Sequence, residues 1–322
     1  MLLDVQGLSV SSNGGGRTYR ILSDICFNVG EGEVLGIIGE SGSGKTTLTR
    51  ALTNLFPAGR GMQVNGTVRF DGRDLLSTAG EQIRGHRCGP IRYIFQEPAS
   101  ALNPTLRIHT QFRLLERQVD STTPSSMDRR DEWITESLSR MGIQNPTEVL
   151  HSYPHQLSIG MLQRVLVAMA MFGEPRLLIG DEPTSAVDAI LRYEILDFLH
   201  DRCRNQGMAL LLATHDLSIV RTYADRVVVL YAGRIVEMSK KDRFFNKPLH
   251  PYSAMLVASA PETFARLKPL PGTEGKPSTE MSASEGCRFS PRCPRVQDDC
   301  RIAEPALIPI DEESKVRCPY WK

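Results

Sequence analysis

Val34-Leu-Gly-Ile-Ile38-Gly39-Glu40-Ser41-Gly42-Ser43-Gly44-Lys45-Thr46-Thr47-Leu48-Thr-Arg-Ala-Leu52 decides how the rest of the chain is read. Its apolar opening is strand-like, a glycine-rich turn follows, and a helical pattern starts near Leu48. That order and spacing match a phosphate-binding P-loop. Glycines let backbone N–H groups close around a β-phosphate, and the helix N-terminus adds partial positive charge. Lys45 has the length to reach the β- and γ-phosphates, and the Thr46 hydroxyl can ligate Mg²⁺. Gly39, Ser41, Gly42, Ser43, Gly44, Lys45, Thr46 and Thr47 are therefore the candidate nucleotide-binding residues. A nucleoside triphosphate is the expected ligand.

Composition bounds the alternatives. With 322 residues, the chain has room for one large domain or two smaller ones around a real core. Lys and Arg number 38 against 37 for Asp and Glu, so bulk charge does not suit a nucleic-acid binder. No apolar run approaches the ~18–20 residues of a membrane span, and Val227-Val-Val-Leu-Tyr231 is among the longest. The N-terminus opens on strand-like sequence without a basic-then-apolar leader. A cytosolic protein is expected, with any membrane role peripheral. Seven cysteines are an odd count, which argues against a disulfide framework. Cys26, Cys88 and Cys203 are scattered, whereas Cys287, Cys293, Cys300 and Cys318 crowd the last 36 residues.

Over residues 1–240 short apolar strands alternate with helical stretches, the pattern of an α/β domain around a largely parallel sheet. Besides the strand feeding the P-loop, Thr67–Asp71, Ile91–Gln96, Arg176–Asp181, Met208–Thr214 and Arg226–Tyr231 are predicted strands. The strand signal disappears between Pro98 and Phe172, where the sequence reads helical around the polar stretch Asp120–Ser126. An inserted helical subdomain over residues 98–172 is expected. Thr263–Gly286, rich in Pro, Gly, Ser, Thr and Glu, reads as a linker within a C-terminal extension, residues 241–322, that holds the clustered cysteines. No internal repeat is visible, so one nucleotide-binding unit is expected.

Arg176-Leu-Leu-Ile-Gly-Asp181-Glu182 is an apolar strand ending in two carboxylates. With a P-loop in the same chain, Asp181 suits a Mg²⁺-associated Walker B aspartate, and Glu182 is placed to polarise the attacking water. Leu157-Ser158-Ile159-Gly160-Met161-Leu162-Gln163-Arg164 precedes that strand and opens a helix. It resembles the signature sequence of ATP-binding-cassette (ABC) ATPases. Gln96 resembles that family's Q-loop, Ser185-Ala-Val-Asp188 its D-loop, and Thr214-His215-Asp216 its switch-histidine loop. Each motif alone has an ordinary reading: a solvated loop for Gln96, a strand-end cap for His215, a helix N-cap for Ser158. All six in the family's order leave little room for accident.

The resemblance implies an α/β fold with a P-loop ABC-type ATPase core, an inserted helical subdomain, and ATP with Mg²⁺ as ligands. It also implies a head-to-tail dimer that sandwiches ATP between one chain's P-loop and the other's signature helix. Ser158, Gly160 and Gln163 of the signature, with Asp188 of the D-loop, would then serve the nucleotide on the partner chain. In this chain's own site Thr46, Gln96 and Asp181 would hold Mg²⁺, and Glu182, His215 and Gln96 would be catalytic. Tyr19 is a candidate to stack on adenine, with edge-strand packing as its alternative. The family usually has a second glycine where Ile159 stands. A β-branched residue keeps the N–H but loses glycine's freedom and adds bulk beside a phosphate. The site completed by this signature is therefore expected to be the slower of a pair, unless Ile159 packs harmlessly away from ATP.

His250-Pro-Tyr252-Ser-Ala-Met-Leu256, Ala260-Pro261 and Gly286-Cys287-Arg-Phe-Ser-Pro-Arg-Cys293-Pro are similar to the peptide and nickel importer group of that family. So are Phe95-Gln-Glu-Pro98, Ala101-Leu-Asn-Pro104 and Tyr153-Pro-His-Gln156. Membership would bring a second ABC ATPase subunit, two transmembrane permease subunits and an external substrate-binding protein, but no nucleic acid. The chain would sit peripherally on the cytoplasmic face of the plasma membrane, energising import of peptides, nickel or metal chelates. An ABC ATPase acting on nucleic acid or ribosomes, and an exporter subunit, are the alternatives. Five, six and seventeen residues separate the tail thiols, without the tight pair that usually begins a structural zinc site. Within the family such a tail is associated with a [4Fe–4S] cluster on Cys287, Cys293, Cys300 and Cys318, with Zn²⁺ or no metal as the alternative. Arg288, Arg292 and Arg295 would offset its charge, and a tail lacking its own core would gain a staple.

Overall fold

The computed structural model describes residues 1–14, 17–56, 61–77, 89–116, 127–259 and 286–321. The polar stretch 120–126, Ala260, Pro261, linker residues 263–285 and Cys88 lie outside these. The strands among the described residues are β1 (Leu3–Gly14), β2 (Arg17–Val29), β3 (Val34–Ile38), β4 (Met62–Phe70), β5 (Arg73–Asp74) and β6 (Ile91–Ile94). They continue with β7 (Leu177–Asp181), β8 (Ala209–Ala213), β9 (Arg226–Tyr231), β10 (Arg234–Lys240), β11 (Ile308–Pro309) and β12 (Lys315–Val316). The chain divides into two compact units, one of residues 1–30, 34–76 and 213–322, the other of residues 31–33 and 77–212.

In the first unit β3 is buried at every position and pairs in parallel with β9. A strand covered on both faces has no polar side to show, which is why it reads as an unbroken apolar run. β9 is followed by antiparallel β10, and the strand order continues β9-β10-β12-β11. The expected largely parallel sheet does not extend to the N-terminus. There β1 pairs antiparallel with both β2 and β4, in the order β2-β1-β4-β5. Only residues 15 and 16 separate β1 from β2. So short a connection suits antiparallel neighbours, whereas parallel ones need a crossover of about a dozen residues.

The C-terminal extension borrows the core of this unit. β12 pairs with β10, placing Val316 opposite Glu237. Phe289 is buried in the same cluster as Ile38, Val229, Tyr231 and Tyr252. Its ring meets Tyr231 edge-on at 5.2 Å and lies 5.5 Å from Tyr252. Burying such a side chain contributes about 2–3 kcal/mol. Glu237 is fully buried, and its carboxylate accepts the N–H groups of Leu249 (2.9 Å) and His250 (2.8 Å). His250 in turn caps helix Pro251–Ala258, its Nδ1 accepting the Tyr252 N–H at 3.1 Å. This chain of contacts fixes where Tyr252 stands.

In the second unit β6, β7 and β8 follow the order β8-β7-β6, with β6 and β7 parallel. β7 and β8 are buried throughout. β6 ends at Ile94, two residues short of the predicted end, because Pro98 opens a new helix and leaves 95–97 as a loop. Between β6 and β7 every described element is helical: Pro98–Ala101, Ile108–Glu116, Met127–Arg140, Pro146–His151, the 3₁₀ turn Pro154–Gln156 and Ile159–Met171. Phe172 anchors them, its ring meeting Trp133 at 4.8 Å and Phe112 at 6.3 Å.

Candidate nucleotide site

β3 delivers the chain directly into the P-loop. A Cβ at Gly39 would lie 2.2 Å from the Leu230 carbonyl oxygen, so the backbone passes β9 only as glycine. Gly44, with φ 107°, takes the left-handed conformation at the N-cap of helix Lys45–Leu52. No side chain caps that helix, and its first turn carries no acidic residue. Its end therefore keeps the positive partial charge that favours an anion. Lys45 is buried, its Nζ donating to the carbonyls of Gly39 (2.7 Å) and Glu40 (3.1 Å). Ser43 is buried too, and its Oγ has no hydrogen-bond partner among the described residues. An orphaned buried hydroxyl costs about 1–3 kcal/mol, and a phosphate oxygen is the kind of partner it lacks. Ser41 and Gly42 are exposed at the loop tip, while Thr46 and Thr47 lie half-buried in the first turn.

His215 belongs to the same unit. The Thr214 N–H donates to the carbonyl of Ile37 in β3 at 3.1 Å, which ties the following bend, with His215 exposed on it, to the P-loop strand. Asp216 then caps helix Leu217–Tyr223 by accepting the Ser218 N–H at 2.9 Å. Tyr19 lies on β2, an edge strand, opposite Ser12 and 49 % exposed.

The remaining motifs lie in the second unit. Asp181 ends β7 buried, its carboxylate accepting the Tyr93 hydroxyl at 3.2 Å. Glu182 has φ 51°, a left-handed backbone that costs a side-chain-bearing residue about 1–2 kcal/mol. Its carbonyl accepts the Ser185 N–H at 3.2 Å. Strain of this sort collects at functional sites. Gln96 is exposed in the loop after β6.

Ser158 caps the signature helix, Ile159–Met171, its Oγ accepting the Met161 N–H at 3.2 Å. Gly160 lies half-buried in the first turn. Ile159 is the first helical residue, 62 % exposed and outside the left-handed region. The expected cost of losing glycine's freedom is therefore absent, since the backbone there is open to any residue; only the bulk remains. Gln163 is fully buried, and its Nε2 donates to the Pro183 carbonyl, fastening the helix to the loop after β7. Asp188 caps helix Ala189–Gln206 by accepting the Leu191 N–H at 3.0 Å.

Cys287, Cys293, Cys300 and Cys318 line one cavity together with His250, Arg295, Arg317 and Tyr320. Burial pushes the Cys287 thiol up to about 11 and raises Cys293 and Cys318 as well. Among the described residues no three His, Cys, Asp or Glu side chains are arranged to hold a metal ion. Four soft donors around a shared cavity are chemically open to a single Zn²⁺ as well as to an iron–sulfur cluster. Of the three arginines expected to offset thiolate charge, only Arg295 lines this cavity, and Arg317 joins it from further along the chain. Arg288 donates instead to the Ala232 carbonyl and to Ser23 Oγ (3.2 Å), and Arg292 to the Glu40 carboxylate. A guanidinium on a long stem reaches well past its sequence neighbours.

Three residues that hold motif residues, each within its own unit, lie outside the motifs. They are Tyr93 on Asp181, Arg292 on Glu40, and Tyr252, whose Oη accepts the Glu40 N–H at 2.8 Å. The sequence signal for the last two was an unmatched acid within the P-loop, whose partner lies more than 200 residues away.

No helix among the described residues is long and apolar enough to cross a membrane. Residues 22–185 match the family described as ABC transporter, and residues 236–300 match the oligopeptide/dipeptide transporter C-terminal region. The chain is similar to the dipeptide transport ATP-binding protein DppD of Escherichia coli (strain K12), 38% identical over 325 residues, covering 99% of this chain and 96% of that one. It is also similar to the oligopeptide transport ATP-binding protein AppD of Bacillus subtilis (strain 168), 35% identical over 317 residues, covering 98% and 96%. A solved dimeric ATP-binding cassette in a post-hydrolysis state, bound to ADP and Pi, shares the fold with a TM-score of 0.67 at 24% identity, over 74% of this chain and 99% of that one. Sustained over nearly its whole length, this likeness means that the chain belongs to the ABC transporter family of ATPases and carries the C-terminal region of the oligopeptide/dipeptide transporters.

Proposed function

We propose that this ATPase energises import of peptides through two membrane permease subunits, as a head-to-tail dimer with a second ABC ATPase, fed by an external substrate-binding protein. The observation that carries the proposal is a likeness to DppD and AppD that continues past the P-loop core into the C-terminal extension. Their names favour peptides over nickel or metal chelates, and transport over work on nucleic acid. The chain would sit peripherally on the cytoplasmic face.

ATP hydrolysis needs an in-line water. Attack on the γ-phosphorus breaks its bond to the β–γ bridging oxygen, giving ADP and phosphate. Glu182 is the proposed acceptor of the water's proton, with His215 aligning water and γ-phosphate. Lys45 and its helix N-terminus stabilise charge on the transferring phosphoryl group. Thr46, Gln96 and Asp181 would hold Mg²⁺, whose part is to neutralise phosphate charge. Ser158 and the Gly160 N–H would serve the nucleotide bound to the partner chain. The four tail thiols would hold a [4Fe–4S] cluster, with Zn²⁺ as the alternative, stapling the extension; that all four line one cavity supports a shared group.

Anaerobic purification with the co-expressed neighbours tests this reading. A second ATPase, two permeases and about four irons and four sulfides per chain are expected. Zinc in their place would replace the cluster, and a chain recovered on nucleic acid without permeases would overturn the transport role. In the assembled complex Glu182→Gln should bind ATP yet lose about 10²–10⁴-fold in turnover. Unchanged turnover would remove Glu182 from its role.

A further inference from the structure

Glu40 is the acidic residue inside the P-loop, and its setting is unusual for a loop that binds polyphosphate. A bare carboxylate there would oppose the phosphates by like-charge repulsion. Arg292, from the cysteine-bearing tail, covers it with two parallel hydrogen bonds of 2.8 and 2.9 Å. The Arg292 side chain is only 8 % exposed, and its guanidinium lies over the rings of Tyr231 (5.8 Å) and Phe289 (6.0 Å). A fork–fork pair of this kind fixes direction as well as charge. The main chain of Glu40 is held at the same time, since its N–H donates to the hydroxyl of buried Tyr252. Its carbonyl accepts from Lys45 Nζ and from the Ser43 N–H (3.1 Å). Glu40 thus connects the tail to the two P-loop residues that face phosphate, all within one unit.

We infer that Arg292 is a positioning residue for nucleotide binding. Through Glu40 it fixes the entry of the P-loop and cancels the charge that would repel ATP, making ATP affinity depend on the C-terminal tail. The inference rests on the family's ATP binding, not on the proposed cargo or cluster. A plain packing role for Arg292 would lower thermal stability and leave nucleotide affinity alone.

The test is a double-mutant cycle in the full chain, titrated with a fluorescent ATP analogue and melted in parallel. Arg292→Gln should weaken nucleotide binding about tenfold, the scale of one charge-assisted hydrogen bond. In the assembled ATPase it should raise KM for ATP and leave kcat largely in place. Glu40→Gln/Arg292→Gln removes both charges and should recover most of the affinity that Arg292→Gln loses. Arg292→Lys keeps the charge and the stem but not the fork, so it should fold and lose about threefold. Unchanged affinity in Arg292→Lys and Arg292→Gln with lowered melting temperature would reduce Arg292 to a staple. A double variant binding no better than Arg292→Gln would also overturn the inference.

Discussion

The P-loop helix and the signature helix are each proposed to present an N-terminus to a phosphate, yet they depend on glycine for different reasons. At Gly39 a Cβ would meet the Leu230 carbonyl oxygen at 2.2 Å, and that oxygen belongs to β9 and cannot withdraw. At Gly160 the nearest atom to a built Cβ is the Ala186 carbonyl oxygen at 3.5 Å, an ordinary contact. Beside it Ile159 already carries a large side chain, 62 % exposed. The P-loop glycine answers to this chain's own backbone. Any demand for glycine in the signature has to come from whatever docks on it. A departure from the motif at Ile159 therefore costs this chain nothing in folding and would be felt only in the proposed assembly.

The largest expected effect comes from Gly39→Ala. Overpacking against β9 should destabilise the chain by about 1–3 kcal/mol. Displacement of the loop should weaken binding of a fluorescent ATP analogue on the order of 10²-fold. Retention of affinity and melting temperature would erase the contrast between the two helix starts. Ser158→Ala comes next. Loss of the cap on Met161 should cost about 1 kcal/mol, a fall of roughly 2–4 °C in Tm. This chain's own ATP affinity should hold while turnover of the assembled complex falls. Ser158→Asp separates the two roles. Aspartate caps as well as serine does, so stability should stay, but its charge would face the partner chain's nucleotide and turnover should fall further. Equal turnover in Ser158→Asp and wild type would confine Ser158 to capping.

Much of the first helix start was legible because its causes are local. β3, the glycine turn and the helix that follows all lie within residues 34–52, and β3 and β9 have their predicted ends. Among the other central strands, β6 ends two residues early, β7 starts one residue late and β8 is one residue shorter at each end. What escaped was pairing at a distance. β1 meets β4 with Leu3 opposite Phe70, and β12 meets β10, in short or half-exposed strands whose pattern does not name a partner. The tail arginines are the clearest case. Proximity to cysteines in sequence suggested charge compensation for thiolates, but side-chain reach and the buried aromatic floor of Tyr231 and Phe289 direct Arg292 to Glu40.

Ile159→Gly has the smallest effect and bears most directly on the comparison. Glycine at the first helical position loses conformational entropy, so the chain should be destabilised by no more than about 1 kcal/mol. Its ATP affinity should not move, because Ile159 lies on the signature helix and makes no demand on the P-loop. In the assembled complex the variant removes bulk from the surface proposed to face the partner chain's ATP. Turnover should then rise, by no more than about tenfold, or 1.4 kcal/mol of barrier. A rise seen only in the assembly, with stability slightly lowered, is what a partner's demand for glycine predicts. Turnover unchanged in the assembly would mean that Ile159 packs beside the nucleotide without hindering it, and the expected slow site would be lost.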